Sequence, residues 1–154
     1  MDTQIIQRFS VIGVMVRTTN ENGQAEQDIP ALWGKFMSEA VLQKVPNKVD
    51  DTIYCVYTDY EKDQTKPYTV ILGCKVSSLN TIPEGMTGKT IETGNYAKYV
   101  AKGNMMQGIV QDKWEEIWKD SDLPRAYKAD FDVYDQTQNP ENGEVAIFVS
   151  VVEA

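Results

Sequence analysis

Two stretches about 75 residues apart carry one pattern, and the segments around them come in one order. Ile53-Tyr-Cys-Val-Tyr-Thr58 lies over Asp130-Phe-Asp-Val-Tyr-Asp135 when Tyr54 is set on Phe131, Val56 on Val133 and Tyr57 on Tyr134. Trp33-Gly-Lys-Phe36 has its counterpart in Trp114-Glu-Glu-Ile117. A repeat of half-domain length is not a solenoid period. It predicts two similar units related by a pseudo-twofold axis, with a seam between them, and seams between elements are common ligand sites.

The order of elements follows from periodicity and punctuation. Phe9 to Val16 is rich in β-branched residues and reads as a strand. After the Asn22-Gly23 turn signal, Asp28 is the expected N-cap of a helix, with Pro30 in its first turn. Ile29, Leu32, Trp33, Phe36, Met37, Ala40 and Val41 follow at helical spacing, and Pro46 stops the helix. Thr52–Tyr60 and Tyr68–Val76 read as strands, and the charged linker between them suits a hairpin. Residues 77–88 read as a loop, and Lys89–Lys102 as extended segments turning at Thr93-Gly-Asn95. A second helix is expected over Asn104–Lys119, with Met106, Val110, Trp114, Ile117 and Trp118 on its apolar face. Asp130–Asp135 and Glu144–Val152 are the last strands, joined by a run of turn residues.

Each half therefore reads strand, helix, strand, strand, roughly residues 5–78 and 86–154 of one expected domain spanning 1–154. The fold class is α+β: duplicated βαββ units, an antiparallel sheet, two main helices and a central groove.

Asp132 is the residue that draws attention. Alternation puts Phe131 and Val133 on one face of the strand, and Asp130, Asp132 and Tyr134 on the other. A carboxylate within a sheet costs several kcal/mol unless it is paired. No Lys or Arg lies in the strand, so Asp132 either takes a partner from elsewhere, holds a bound cation, or sits at a strand end in water. In the repeat Cys55 takes its place, so the acid is specific to the second half. Trp33, Trp114 and Trp118 are core residues or stacking faces for a planar cation, and Tyr57 and Tyr134 pack the sheet or line the groove. Phe36 joins these candidates, and Met37, Met105 and Met106 could supply an adaptable wall. Gly73 either suits the sheet or opens space on the groove side. Glu115 and Glu116 read as a solvated face.

Several function classes fall away. A net charge of −8 disfavours nucleic acid and anionic membranes and favours cationic partners. No stretch approaches the roughly 20 apolar residues of a membrane span, and Met1–Arg8 does not resemble a signal peptide. With no histidine, a Ser-His-Asp triad, a Cys-His pair and a histidine metal site are excluded. Gly85-Met-Thr-Gly88-Lys89-Thr90 ends like a phosphate-binding loop, but Pro83 stands where that loop needs Gly. Cys55 and Cys74 do not make a disulfide framework and read as buried small hydrophobes in a cytoplasmic protein. No metal or cofactor is expected.

These segments together resemble the GyrI-like small-molecule-binding domains, the effector-binding domains of AraC-type regulators. The resemblance rests on Ile29-Pro-Ala-Leu-Trp33, Tyr54-Cys-Val-Tyr-Thr-Asp-Tyr60, Tyr68-Thr-Val-Ile-Leu-Gly73, Gly94-Asn-Tyr96, Trp114-Glu-Glu-Ile-Trp118 and Asp130-Phe-Asp-Val-Tyr134, and spans nearly the whole chain. It implies a groove that binds hydrophobic, often cationic compounds through aromatics and a buried acid. The family's acid is typically Glu and maps onto Asp132, one methylene shorter here. No helix-turn-helix segment is apparent, so a stand-alone module is expected. The resemblance thus implies a lipophilic cationic ligand held by Asp132, Tyr134, Trp114, Trp118, Trp33, Phe36 and Tyr57. The alternatives are a hydrolase using the same groove, with Asp132 as general base, and an inhibitor that binds a protein partner.

Overall fold

The computed structural model describes residues 3–104, 107–135 and 142–152. Met105, Met106 and most of the expected loop before the last strand lie outside them. The strands are β1 (Thr3–Ile6), β2 (Phe9–Thr18), β3 (Lys48–Thr58), β4 (Tyr68–Val76), β5 (Thr87–Ile91), β6 (Gly94–Gly103), β7 (Ala129–Tyr134) and β8 (Gly143–Ser150). The helices are α1 (Ala25–Ser38), α2 (Val41–Lys44) and α3 (Ile109–Lys119).

All eight strands join one antiparallel sheet in the order β1-β6-β8-β7-β3-β4-β2-β5. The order is symmetric about the β7–β3 pair, as the repeat predicts. Register gives the axis its place: Cys55 pairs with Asp132, Ile53 with Tyr134 and Tyr57 with Asp130. The two residues that the repeat equates, Cys55 and Asp132, are thus each other's partners, and the pseudo-twofold passes between them. The outermost strands are exchanged. β1 leads into β2 but pairs with β6, and β5 leads into β6 but pairs with β2. β1 was not expected from the sequence.

The sheet is two-sided. On one face α1 packs on β2 and β4, and α3 on β6, so each helix covers one flank and the central β3–β7 pair lies between them. Ile12, Val14, Leu72 and Cys74 are buried under α1, and Ala101, Val145, Ile147 and Val149 under α3. Among the described residues the other face carries no helix, yet Val11, Val56 and Ile71 are buried there. The sheet buries them by curling on itself. Phe9 and Phe131 stand three strands apart, about 14 Å in a flat sheet, and their ring centroids are 5.1 Å apart.

Three local expectations are corrected. α1 begins at Ala25, not after Asp28; Asp28 sits within its first turn and accepts hydrogen bonds from Thr18 Oγ1 and Gln24 Nε2. The helix stops at Ser38 instead of running to Pro46. Ala40 takes a left-handed conformation (φ 50°) that turns Val41 and Val45 into the core. Gly73 faces away from the groove, opposite Leu72 and Cys74. It pairs with Gly13 so closely that a Cβ on Gly73 would lie 2.0 Å from the Ile12 carbonyl oxygen. Its missing side chain permits the approach of β2 to β4.

Candidate functional site

Between α1 and α3, over the central strands, lies a cavity of about 410 Å³. Its floor is Tyr57 of β3 and Tyr134 of β7. Ile29, Pro30 and Trp33 of α1 form one wall, and Val110, Trp114, Glu115 and Trp118 of α3 the other. Helical spacing places these residues on one face of each helix. One end is closed by Asn20, Tyr60, Gln64, Tyr68 and Arg125.

The aromatics interlock across the seam. Trp33 of the first half meets Tyr134 of the second edge-on, at 4.9 Å between centroids. Its symmetric counterpart is Trp114 of the second half against Tyr57 of the first, at 5.2 Å. Each helix therefore holds its tryptophan against the other unit's tyrosine. Trp118 extends the α3 wall at 6.3 Å from Trp114.

Asp132 lies beneath this floor with no exposure to solvent. Its carboxylate accepts the Tyr57 hydroxyl at 2.6 Å and the Trp114 indole N–H at 3.0 Å. Both donors are neutral, and both belong to cavity-lining side chains. Among the described residues no basic side chain pairs with it. Burial raises its pKa to about 7; the Tyr57 and Trp114 hydrogen bonds work against that rise and the nearby Asp130 adds to it. Burial and the adjacent Asp132 also push Tyr57 well above the ordinary phenol range, so it remains a donor. Burial raises the Cys55 thiol likewise, which suits an inert hydrophobe better than a nucleophile.

Two residues away on the same face, Asp130 is satisfied in a different way. It accepts Arg125 Nη2 at 2.7 Å, the Tyr60 hydroxyl at 2.5 Å, and Ser150 N and Oγ at 2.7 and 3.0 Å. The ion pair is buried on both sides, at 5% and 0% side-chain exposure. The Arg125 guanidinium also stands over the rings of Tyr127, Trp114 and Tyr60, at 4.3, 5.7 and 5.9 Å.

Of the seven residues singled out in the sequence, Trp33, Tyr57, Trp114, Trp118 and Tyr134 line the cavity. Asp132 lies directly behind two of them. Phe36 does not reach it: it is 1% exposed in the core and meets Trp33 from below. Met37 is 61% exposed and walls nothing. Sequence reasoning missed Arg125, Tyr60, Tyr68, Gln64 and Asn20, and read Glu115 only as a solvated position although it stands at the cavity. Among the described residues no group of His, Cys, Asp or Glu could hold a metal ion, and no helix is long and apolar enough to cross a membrane.

Residues 5–151 match the family described as Cass2, integron-associated effector binding protein. An integron cassette protein from the mobile metagenome of Vibrio cholerae is 32% identical with a TM-score of 0.76, covering 98% of this chain and 95% of that one. SAV2435, solved bound to tetraphenylphosphonium, is 18% identical with a TM-score of 0.80, covering 98% of this chain and 93% of its own. No curated protein matches the chain. The expected kinship with GyrI-like effector-binding domains is borne out by these matches.

Proposed function

The chain belongs to the family of integron-associated effector-binding proteins, and from that premise we propose that its cavity binds lipophilic aromatic cations, with Asp132 as counter-ion. The observation that carries the reading is the state of Asp132. It is a fully buried acid held by two neutral donors, each of which also lines the cavity. An acid in such surroundings is costly to ionise, and a ligand cation above it lowers that cost. The tryptophan and tyrosine faces around it add cation–π attraction, about 0.5–2 kcal/mol per contact. SAV2435, which shares the fold, binds tetraphenylphosphonium, a compound of this class.

The test is calorimetric titration at pH 8 with an aromatic monocation and a neutral compound of the same shape, on wild type and Asp132→Asn. The amide keeps the shape, accepts from Trp114 Nε1 and donates to Tyr57, whose hydroxyl can also accept. The cation is expected to bind the variant more weakly by roughly 1–3 kcal/mol, the range of a charged contact, while the neutral compound is unaffected. Equal losses for both compounds would make Asp132 a structural residue.

A further inference from the structure

Among the described residues the cavity has two acids behind its floor and one cation in its wall, and the three do not play equal parts. Asp130 and Asp132 share a face of β7 and are both fully buried. Asp130 is saturated by Arg125, Tyr60 and Ser150, while Asp132 has only its two neutral donors. Arg125 itself lines the cavity, and Asp130 does not.

We propose that Arg125 sets the valence of the ligand: the site takes an aromatic monocation seated over Asp132, lays the ligand's uncharged end against Arg125, and rejects bis-cations of the same size. The proposal rests on the reading of Asp132 given above and adds the charge count. The ring faces of Tyr127, Trp114 and Tyr60 at this end, which a second cationic group would seek, already hold a guanidinium. That cation cannot be titrated away, since arginine stays protonated at any ordinary pH. Nor is it free to swing aside. Its Nη1 donates to Gln64 Oε1 at 3.1 Å, and Tyr127, which stacks on it, donates to the same oxygen at 2.7 Å. Tyr127 holds a left-handed backbone (φ 53°), a costly conformation for an aromatic residue that persists only where its surroundings impose it. Glu26 and Glu115 also line the cavity, but both are exposed. Solvent and salt screen them, so they favour the approach of any cation without distinguishing one charge from two.

The test is calorimetry at pH 8 with three phenanthridinium dyes. Ethidium carries one permanent charge, propidium adds a quaternary ammonium on an alkyl arm, and the third has an uncharged arm of equal length. Wild type is expected to bind ethidium and the uncharged-arm dye alike, and propidium about tenfold more weakly or worse. Arg125→Gln uncovers Asp130 and is expected to close or invert that gap. The paired variant Arg125→Gln, Asp130→Asn adds no new unpaired buried charge, guarding against a single variant that does not fold, and should shrink the gap by less. Equal binding of ethidium and propidium by wild type overturns the proposal. So does an uncharged arm that weakens binding as much as the charged one, which makes size the cause, and so does a gap that neither variant changes. If ethidium, the uncharged-arm dye and a phosphonium cation all fail to bind wild type, the cation-binding reading itself falls, and the valence rule with it.

Discussion

Replacing Asp132 with Asn is expected to abolish a pH dependence of stability that the wild type carries between the ordinary carboxylate range and neutrality. In the folded chain burial raises this carboxyl to about 7, against 3.8 for the unfolded group. The folded state then binds more protons than the unfolded state throughout that window, so stability falls as pH rises through it and levels off above the folded value. Between pH 5 and pH 8 the loss integrates to roughly 2–3 kcal/mol. The amide cannot ionise, so relative to wild type the variant gains that amount on going from pH 5 to pH 8. Urea unfolding followed by tryptophan fluorescence at both pH values measures it, and pairing the two proteins cancels the titration of the other carboxylates. A wild-type-to-variant difference that is the same at pH 5 and pH 8 would refute the account of Asp132 as a poorly solvated acid. The same titration governs binding. A permanent cation favours the ionised form, so its affinity is expected to rise with pH up to about 7 and then to level off, by a total no larger than the loss seen in Asp132→Asn.

Trp118→Leu removes a stacking face at the cavity wall without touching the hydrogen bonds of Asp132. It should weaken an aromatic cation by about 0.5–2 kcal/mol in calorimetry, and an unchanged affinity would leave Trp118 as packing only. Gly73→Ala drives a Cβ to 2.0 Å from a backbone oxygen that cannot move alone. Denaturation should show a loss of about 1–3 kcal/mol or more, and a variant as stable as wild type would contradict the close β2–β4 approach.

Much of the architecture is legible because it is written twice. The echo between residues 53–58 and 130–135 pairs Cys55 with Asp132, and the β3–β7 register puts the axis between those two residues. The cavity aromatics were legible for the same reason, since Trp33 and Trp114 lie at matching helical positions. What escaped was local and irregular. β1 is four residues long, and only its place at the sheet edge gives it a partner. The break at Ala40 depends on a left-handed backbone that alanine does not advertise. Arg125 follows Pro124 in an isolated bridge to Val151, outside any periodic segment, so no pattern aimed it at the groove. The available signal was chemical. A buried Asp130 needs a cation, and Arg125 and Lys128 are the basic residues just before it, of which the fold turns Arg125 inward.

The exchange of edge strands bears on how a guest gets in. A binding protein built from two lobes often admits its ligand by a hinge that swings the lobes apart. Here the lobes are stitched at three places: the β3–β7 ladder in the middle, and a borrowed strand at each margin. Parting the two half-sheets would break the β3–β7 ladder and pull on the two-residue links, 7–8 and 92–93, that cross between them. With the sheet held in this way, the side of the cavity left to adjust to a guest is the helix side, where Trp33 stands on one wall and Trp118 on the other.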